Sequence, residues 1–465
     1  MIKKVIAVII SLVLAIAVSF NAFSLENNAL DSVKSAVEGV LAYKSADLNA
    51  SSTTEFLDRL SKNAGDFSSD WYYIALSRYG VNCESEKSIT ALKDAVEDFY
   101  NEGLASVKVT DLQRVALALL ACNQDITNVN SRNLLADATY NRPAFRPLDA
   151  QGVNSLSYAL ILLDTKNYSI PKGKTITREK LVSDIMDKEL ENGGYALFGK
   201  GLDVDITAIV LQALAPYKNR SKVKESINRC LNLLSKRQDE SGAYKSFSNQ
   251  ITAESTAQVV MAVTALGINP LTDSRFIKNG KTLLDGLNEF KLSGGGYCHM
   301  QGYEVNNIAT YQSFCALVSV YRFLSGGSAF FDFSDKQNDN TQSVDKAVKK
   351  TVKKHSAGKK SPEPKTNKSK NNSVIKNIYN SKLENKTVKT KRNNSKTEKT
   401  KKISDKKNKI TNKKTESEIV VINESQPIKK SEKKHTPEGT PLYIDSIILI
   451  IGYVIVFAVK SGGKE

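Results

Sequence analysis

The chain is short of the residues that most often carry chemistry. It has three histidines in 465 residues, and one of them, His299, falls ahead of residue 334. A prenyltransferase-type zinc site, which needs Asp, Cys and His converging on the metal, is therefore not expected. The five cysteines, Cys83, Cys122, Cys230, Cys298 and Cys315, are odd in number and widely scattered. That excludes a disulfide scaffold and leaves at least one thiol unpaired. Cys122, Cys230 and Cys315 sit in apolar helical stretches, where buried free thiols are the ordinary state; a Cys83–Cys122 pair is the alternative. Tryptophan occurs once, at Trp71. The sequence contains no phosphate-binding Gly-rich loop, no serine nucleophile elbow and no His-Glu-x-x-His pattern. Alternating strand patterns are missing as well, which argues against a sheet-based fold.

The net charge of +17 is unevenly placed. Between 334 and 440 basic residues outnumber acidic ones by 30 to 12, whereas 25–333 is close to neutral. A basic nucleic-acid-binding domain is thereby excluded. The N-terminus reads as a secretory signal over 1–24: Lys3 and Lys4, an apolar run from Val5 to Val18, then Ala22-Phe23-Ser24 as a cleavage site. Residues 334–440 are Lys, Asn, Ser and Thr with few apolar side chains, a composition that cannot bury a core and predicts a disordered linker. Residues 441–459 form an apolar stretch close to the ~20 residues that cross a bilayer, followed by a short tail, 460–465, with Lys460 and Lys464. These features predict a single-pass protein of the cell membrane, its N-terminal domain outside, as on a Gram-positive-type surface. The Lys-rich stalk would suit anionic cell-wall polymers.

Within 25–333 the sequence repeats. Asn192-Gly193-Gly194-Tyr195, Ser241-Gly242-Ala243-Tyr244 and Gly294-Gly295-Gly296-Tyr297 recur at spacings of 49 and 53 residues. Each follows an amphipathic segment, Arg178 to Glu191, Lys222 to Gln238 and Ser274 to Leu292. A threonine lies 12 or 13 residues past each tyrosine, at Thr207, Thr256 and Thr310, and opens a second segment that is apolar nearly all round. A helix apolar on every face is buried on every face, so each unit predicts an outer and an inner helix. Weaker copies of the inner helix stand at Asp70–Leu76, Thr110–Leu120 and Gly152–Leu163. Six pairs predict an all-α fold closed as an (α/α)6 toroid.

These residues resemble a known superfamily. Gln238-Asp239-Glu240-Ser241-Gly242-Ala243-Tyr244 is similar to the Gln-x-x-x-Gly-x-Trp motif of squalene cyclases, with Tyr in place of Trp. The Gly-Gly-aromatic turn followed by a Thr-Ala helix is similar to protein prenyltransferase β-subunits. The resemblance covers roughly 50–330 and implies the α/α toroid of terpenoid cyclases, protein prenyltransferases and transcobalamin-like carriers. Class II cyclases carry Asp-x-Asp-Asp-Thr-Ala where this chain has Asp203-Val204-Asp205-Ile206-Thr207. The resemblance thus offers Asp205, supported by Asp203, as a catalytic proton donor. Ile206 replaces the third carboxylate, however, and Asp at a helix start also serves as a cap.

The reading that follows is a membrane-anchored, non-catalytic surface protein that binds an unknown small-molecule or protein ligand at the toroid mouth. Tyr195, Asp203, Asp205, Tyr244, Glu254, Gln258 and Tyr297 are its candidate ligand contacts, although the three tyrosines read better as packing plugs between helix pairs. Neither cofactor nor metal is expected. The alternative is a terpenoid-cyclase-like enzyme acting on a membrane isoprenoid through Asp205.

Overall fold

The computed structural model describes residues 28–104, 106–142, 147–335 and 345. The stretches expected to be a signal peptide (1–24), a transmembrane helix (441–459) and a tail (460–465), and all of the expected linker except Ser334, Asp335 and Asp345, lie outside them. Among the described residues no helix is long and apolar enough to cross a membrane.

The described chain is mostly helical. Helix α1 spans 28–47. It is followed by α2 (Thr53–Leu60), α3 (Phe67–Tyr79), α4 (Glu86–Asn101), α5 (Val109–Ala121), α6 (Leu134–Ala138) and α7 (Gly152–Asp164). The second half comprises α8 (Arg178–Met186), α9 (Val204–Leu214), α10 (Ser221–Arg237), α11 (Ala253–Ala265), α12 (Leu283–Asn288) and α13 (Asn307–Leu324). One two-stranded hairpin, Tyr244–Lys245 against Ile251–Thr252, interrupts the helices.

Six helices, α3, α5, α7, α9, α11 and α13, pack each against the next, and α13 returns to α3. The inner ring is therefore closed. Its members run parallel. The starts of α9 and α11 meet at Asp205 and Glu254, while Arg78 and Arg322, at the ends of α3 and α13, meet at the other end. The apolar sequences explain the packing. From Ile206 to Leu214 every residue of α9 is buried, and α11 is buried from Ala253 to Thr264 except at Gln258. The remaining helices cover this ring: α4 lies on α5, α8 on α7, α10 on α9 and α12 on α11. They carry charge outward, as α10 does with Val223, Ile227, Cys230, Leu231 and Leu234 inward.

The recurrent threonines act as ties. Thr207 Oγ1 accepts the Tyr195 N–H at 2.9 Å, Thr256 that of Tyr244 at 3.0 Å, and Thr310 that of Tyr297 at 3.0 Å. Each hydroxyl donates in turn to a carbonyl four residues back, at Asp203, Thr252 and Asn306. Each Gly-aromatic turn is thus stitched to the first turn of its inner helix. Gly242 has φ +87°, and a Cβ there would lie 2.3 Å from the Thr282 carbonyl oxygen. Only glycine combines that dihedral with that approach. Gln238 completes the second repeat, its amide donating to the Gly242 and Phe276 carbonyls.

Two expectations need correction. The third outer segment is not one helix over 274–292. It breaks after a short 3₁₀ turn at Ser274–Phe276, because Asn279 and Gly280 take φ +48° and +74°, a left-handed conformation that no α-helix accommodates. Cys83 and Cys122 do not pair either; all five cysteines are free and buried.

Replacing Thr256 with Val keeps the shape but leaves the Tyr244 N–H buried without an acceptor. Urea unfolding should show a loss of about 1–3 kcal/mol, with similar losses for Val at 207 and 310. A change below about 0.5 kcal/mol at all three would show that these ties do not support the ring.

Candidate functional site

The inner helices are buried on every side except at a few places that identify the ring's interior. Between their first and last turns the residues retaining exposure are Trp71 on α3, Arg114 on α5, Tyr158 on α7, Gln258 on α11 and Gln312 on α13. Helix α9 opens at Asp205 in its first turn, and α7 also at Asn154. Every inner helix thus contributes to one interior surface near the ring's N-terminal end. The outer helices cover the opposite faces.

Aromatic rings form the deep part of this surface. Trp71 lies parallel to Tyr311, with centroids 6.4 Å apart and planes at 7°. Tyr158 and Phe331 flank it at 6.0 and 6.3 Å. Amides line one wall: Gln212 donates to Gln258 at 3.1 Å, and Gln258 donates to Gln312 at 3.0 Å, a chain across three consecutive inner helices. Arg114 forms part of the opposite wall. Its donors are engaged by Asp70 at 3.0 Å, by Asp111 and by the Gly65 carbonyl. Burial raises the Asp70 carboxyl to about 6, against the pull of Arg114.

The acidic end of the site is built at the starts of α9 and α11. Asp203 is the N-cap of α9, accepting from the N–H groups of Asp205 and Ile206 at 3.0 and 3.2 Å. Asp205 is therefore not the cap; it points inward. Its Oδ1 is sealed from solvent and has no hydrogen-bond partner, while the Ser255 hydroxyl bonds to the carboxyl. Ser255 is itself positioned by Thr252, whose hydroxyl lies 3.0 Å away. Burial, with the negative charges of Asp203 and Glu254, raises Asp205 to about 7. At neutral pH a large share of Asp205 is a neutral carboxylic acid, able to give up a proton.

Beside it stands an ion pair from different repeats. His299 Nδ1 is 2.8 Å from Glu254 Oε2. That hydrogen bond raises the His299 pKa above its ordinary value. The histidine is held in place because its carbonyl accepts the Ala253 N–H at the start of α11. Two carboxyls and an imidazole thus meet at the starts of α9 and α11. Among the described residues no group of His, Cys, Asp and Glu has the arrangement of a metal site.

Of the seven candidate contacts, Asp205, Glu254 and Gln258 converge here, and Asp203 supports them as the cap. Tyr195, Tyr244 and Tyr297 do not. All three are fully buried, two with their hydroxyls turned to Ser226 and to the Leu234 carbonyl, and they plug the spaces between helix pairs. Sequence reasoning missed His299 as a partner of Glu254, along with Trp71, Arg114, Tyr158 and Gln312. Rarity was the available signal: His299 and Trp71 are the sole residues of their kind before 334. At the rim, the loops that follow the three tyrosines each expose one aromatic ring, Phe198, Phe247 and Tyr303.

No family model matches the chain, and no curated protein matches it. Among solved structures it is similar to the unsaturated glucuronyl hydrolase of Bacillus sp. GL1, responsible for the degradation of glycosaminoglycan. The two are 13% identical with a TM-score of 0.44, over 66% of this chain and 100% of that one. The expectation of a non-catalytic surface-binding protein is corrected at this point. Asp205 caps nothing, has one oxygen sealed without a partner, and lies next to a His–Glu pair.

Proposed function

We propose that the chain is an acid–base enzyme acting on a neutral, carbohydrate-like substrate in the interior of the ring. The observation that carries this reading is Asp205: a carboxyl with one sealed, unpartnered oxygen, raised to about 7. An acid tuned to the working pH is what proton donation to a leaving oxygen requires. Glu254, oriented by His299, is the second carboxyl, stabilising a developing positive charge or taking a proton from water. The walls support the substrate class. Flat rings at Trp71 and Tyr158 suit an apolar sugar face, while Asn154, Gln258 and Gln312 suit hydroxyls. Arg114 is already engaged by two carboxylates and a carbonyl, so it offers little to an anionic group.

The finer resemblance to terpenoid cyclases and prenyltransferases belongs to the same proposal, as a likeness in how the repeats are built and in where the ring puts its acid. The sequence of the linker and of the apolar stretch at 441–459 supports, in addition, an enzyme tethered outside the cell beside anionic wall polymers.

Chromogenic aryl glycosides of both anomers, assayed with the wild-type protein and with Asp205→Asn, test the reading. Turnover should occur for at least one neutral sugar, decline above about pH 7 as Asp205 ionises, and fall on the order of 10²–10⁴-fold in the variant. Equal rates in the two proteins would remove Asp205 from the chemistry.

Stability gives a second expectation. The folded chain keeps the Asp205 proton up to about pH 7, whereas an unfolded chain releases it near ~4. Between those values the folded state binds more protons, so this site's contribution to stability falls as pH rises. Asp205→Asn should therefore raise the melting temperature at pH 8 and change it little at pH 4. A loss of stability of equal size at both pH values would instead mark Asp205 as a structural hydrogen-bonding residue.

A further inference from the structure

The deep face of the site is not made by the repeats alone. After α13 the chain turns at Gly326 and Gly327 and runs back beneath the ring as 328–335. Three phenylalanines lie in this segment. Phe330 and Phe333 are buried anchors, and the Phe333 N–H donates to the Thr165 carbonyl past the end of α7 at 2.8 Å. Phe331 between them stays half-buried and meets the interior aromatics edge-on, 6.3 Å from both Trp71 and Tyr158. It approaches these rings from the end of the ring where α3, α7 and α13 finish.

A charged clamp holds the segment. Arg78, at the end of α3, is almost fully buried. It donates to Asp335 at 2.8 Å, to the Ser328 hydroxyl at 2.8 Å and to the Ala329 carbonyl at 3.2 Å. Its guanidinium also lies 4.8 Å from the Phe333 ring centroid. Arg322, at the end of α13, donates to the same Asp335, to the Ser328 carbonyl at 2.9 Å and to the Arg78 carbonyl at 3.0 Å. Two guanidiniums, one of them removed from water, thus share a single carboxylate eleven residues past the last repeat helix. Removing that carboxylate leaves a buried charge without its ion-pair partner, the costly case for a buried pair.

We propose that 328–335 is part of the site: Phe331 is a substrate-contacting floor residue, and the Arg78–Arg322–Asp335 clamp holds it in place, so that releasing the segment opens the floor. The substrate half of this inference rests on the acid–base reading above; the clamp half does not. Trp71 provides the means to separate them, because it is the chain's sole tryptophan and touches Phe331.

The experiment uses the full chain and three proteins: wild type, Phe331→Ala, and Asp335→Ala. Asp335→Ala should shift Trp71 emission to longer wavelength and at least double its quenching by acrylamide. Phe331→Ala, which leaves the clamp intact, should raise KM for the aryl glycoside that the wild type turns over by about tenfold, with kcat within about threefold. Unchanged Trp71 emission and quenching in a folded Asp335→Ala protein would overturn the clamp. Should Asp335→Ala fail to fold, Asp335→Asn, which removes the charge but keeps a hydrogen-bonding side chain, serves for the same readout. An unchanged KM in Phe331→Ala would overturn the floor assignment. Absence of wild-type turnover on every sugar would instead strike at the acid–base reading, and with it the substrate role of Phe331, while the fluorescence result would still decide the clamp.

Discussion

Three threonine hydroxyls hold the architecture to its chemistry. Each accepts the N–H of the tyrosine that ends a Gly-aromatic turn, and each sits in the first turn of an inner helix. The tie fixes where the following loop leaves and where the helix begins. Because the inner helices run parallel, it brings the starts of neighbouring helices to one end of the ring. Asp205 and Glu254 face one another for that reason, and His299 reaches Glu254 from a loop anchored by the third tie. Burying the backbone groups of these turns is tolerable only because the hydroxyls satisfy them.

The same closure explains why Asp205 is an unusual carboxyl. A helix start already capped by Asp203 has no further need of an acid, and the residue two positions on is directed into the ring. There it meets Ser255, two like charges and little water. Such a group destabilises the folded state above the pH at which it ionises, the pattern expected where a fold gives up stability for a reactive side chain. The interior as a whole keeps to the same division. Aromatic rings fill the depth, amides and carboxyls line the mouth, and Arg114 is neutralised by Asp70 and Asp111.

Much of the fold was legible in the sequence because the repeat is periodic and its inner helices are apolar on every face. The starts of α9, α11 and α13 follow from Thr207, Thr256 and Thr310, and the three weaker copies from their apolar runs. The break in the third outer segment was hidden because Asn279-Gly280 interrupts an otherwise amphipathic stretch by backbone conformation alone. In the site, Asp205, Glu254 and Gln258 were legible as first-turn and lumen positions of adjacent repeats. The roles of Asp203 and Asp205 were not, since two carboxylates two positions apart are equally able to cap until the backbone fixes which one does. His299 was invisible as a partner of Glu254 because the pair spans 45 residues and joins a loop of one repeat to a helix of another. Phe331 lies beyond the last repeat, where periodicity carries no information. The tyrosine of each turn was legible as a packing plug, because a residue placed by the repeat can serve the repeat.

The central claim is that Asp205 is a neutral acid near physiological pH, held so by burial between Asp203 and Glu254. Carbon-detected NMR of the side-chain carboxyls, with Asp205 assigned through Asp205→Asn, measures its ionisation directly in the folded protein. A midpoint near pH 7 is the result this account predicts. A midpoint near ~4, the ordinary range for an aspartate, would contradict it, leaving the ring with a conventional carboxylate where the proposed chemistry needs a proton donor.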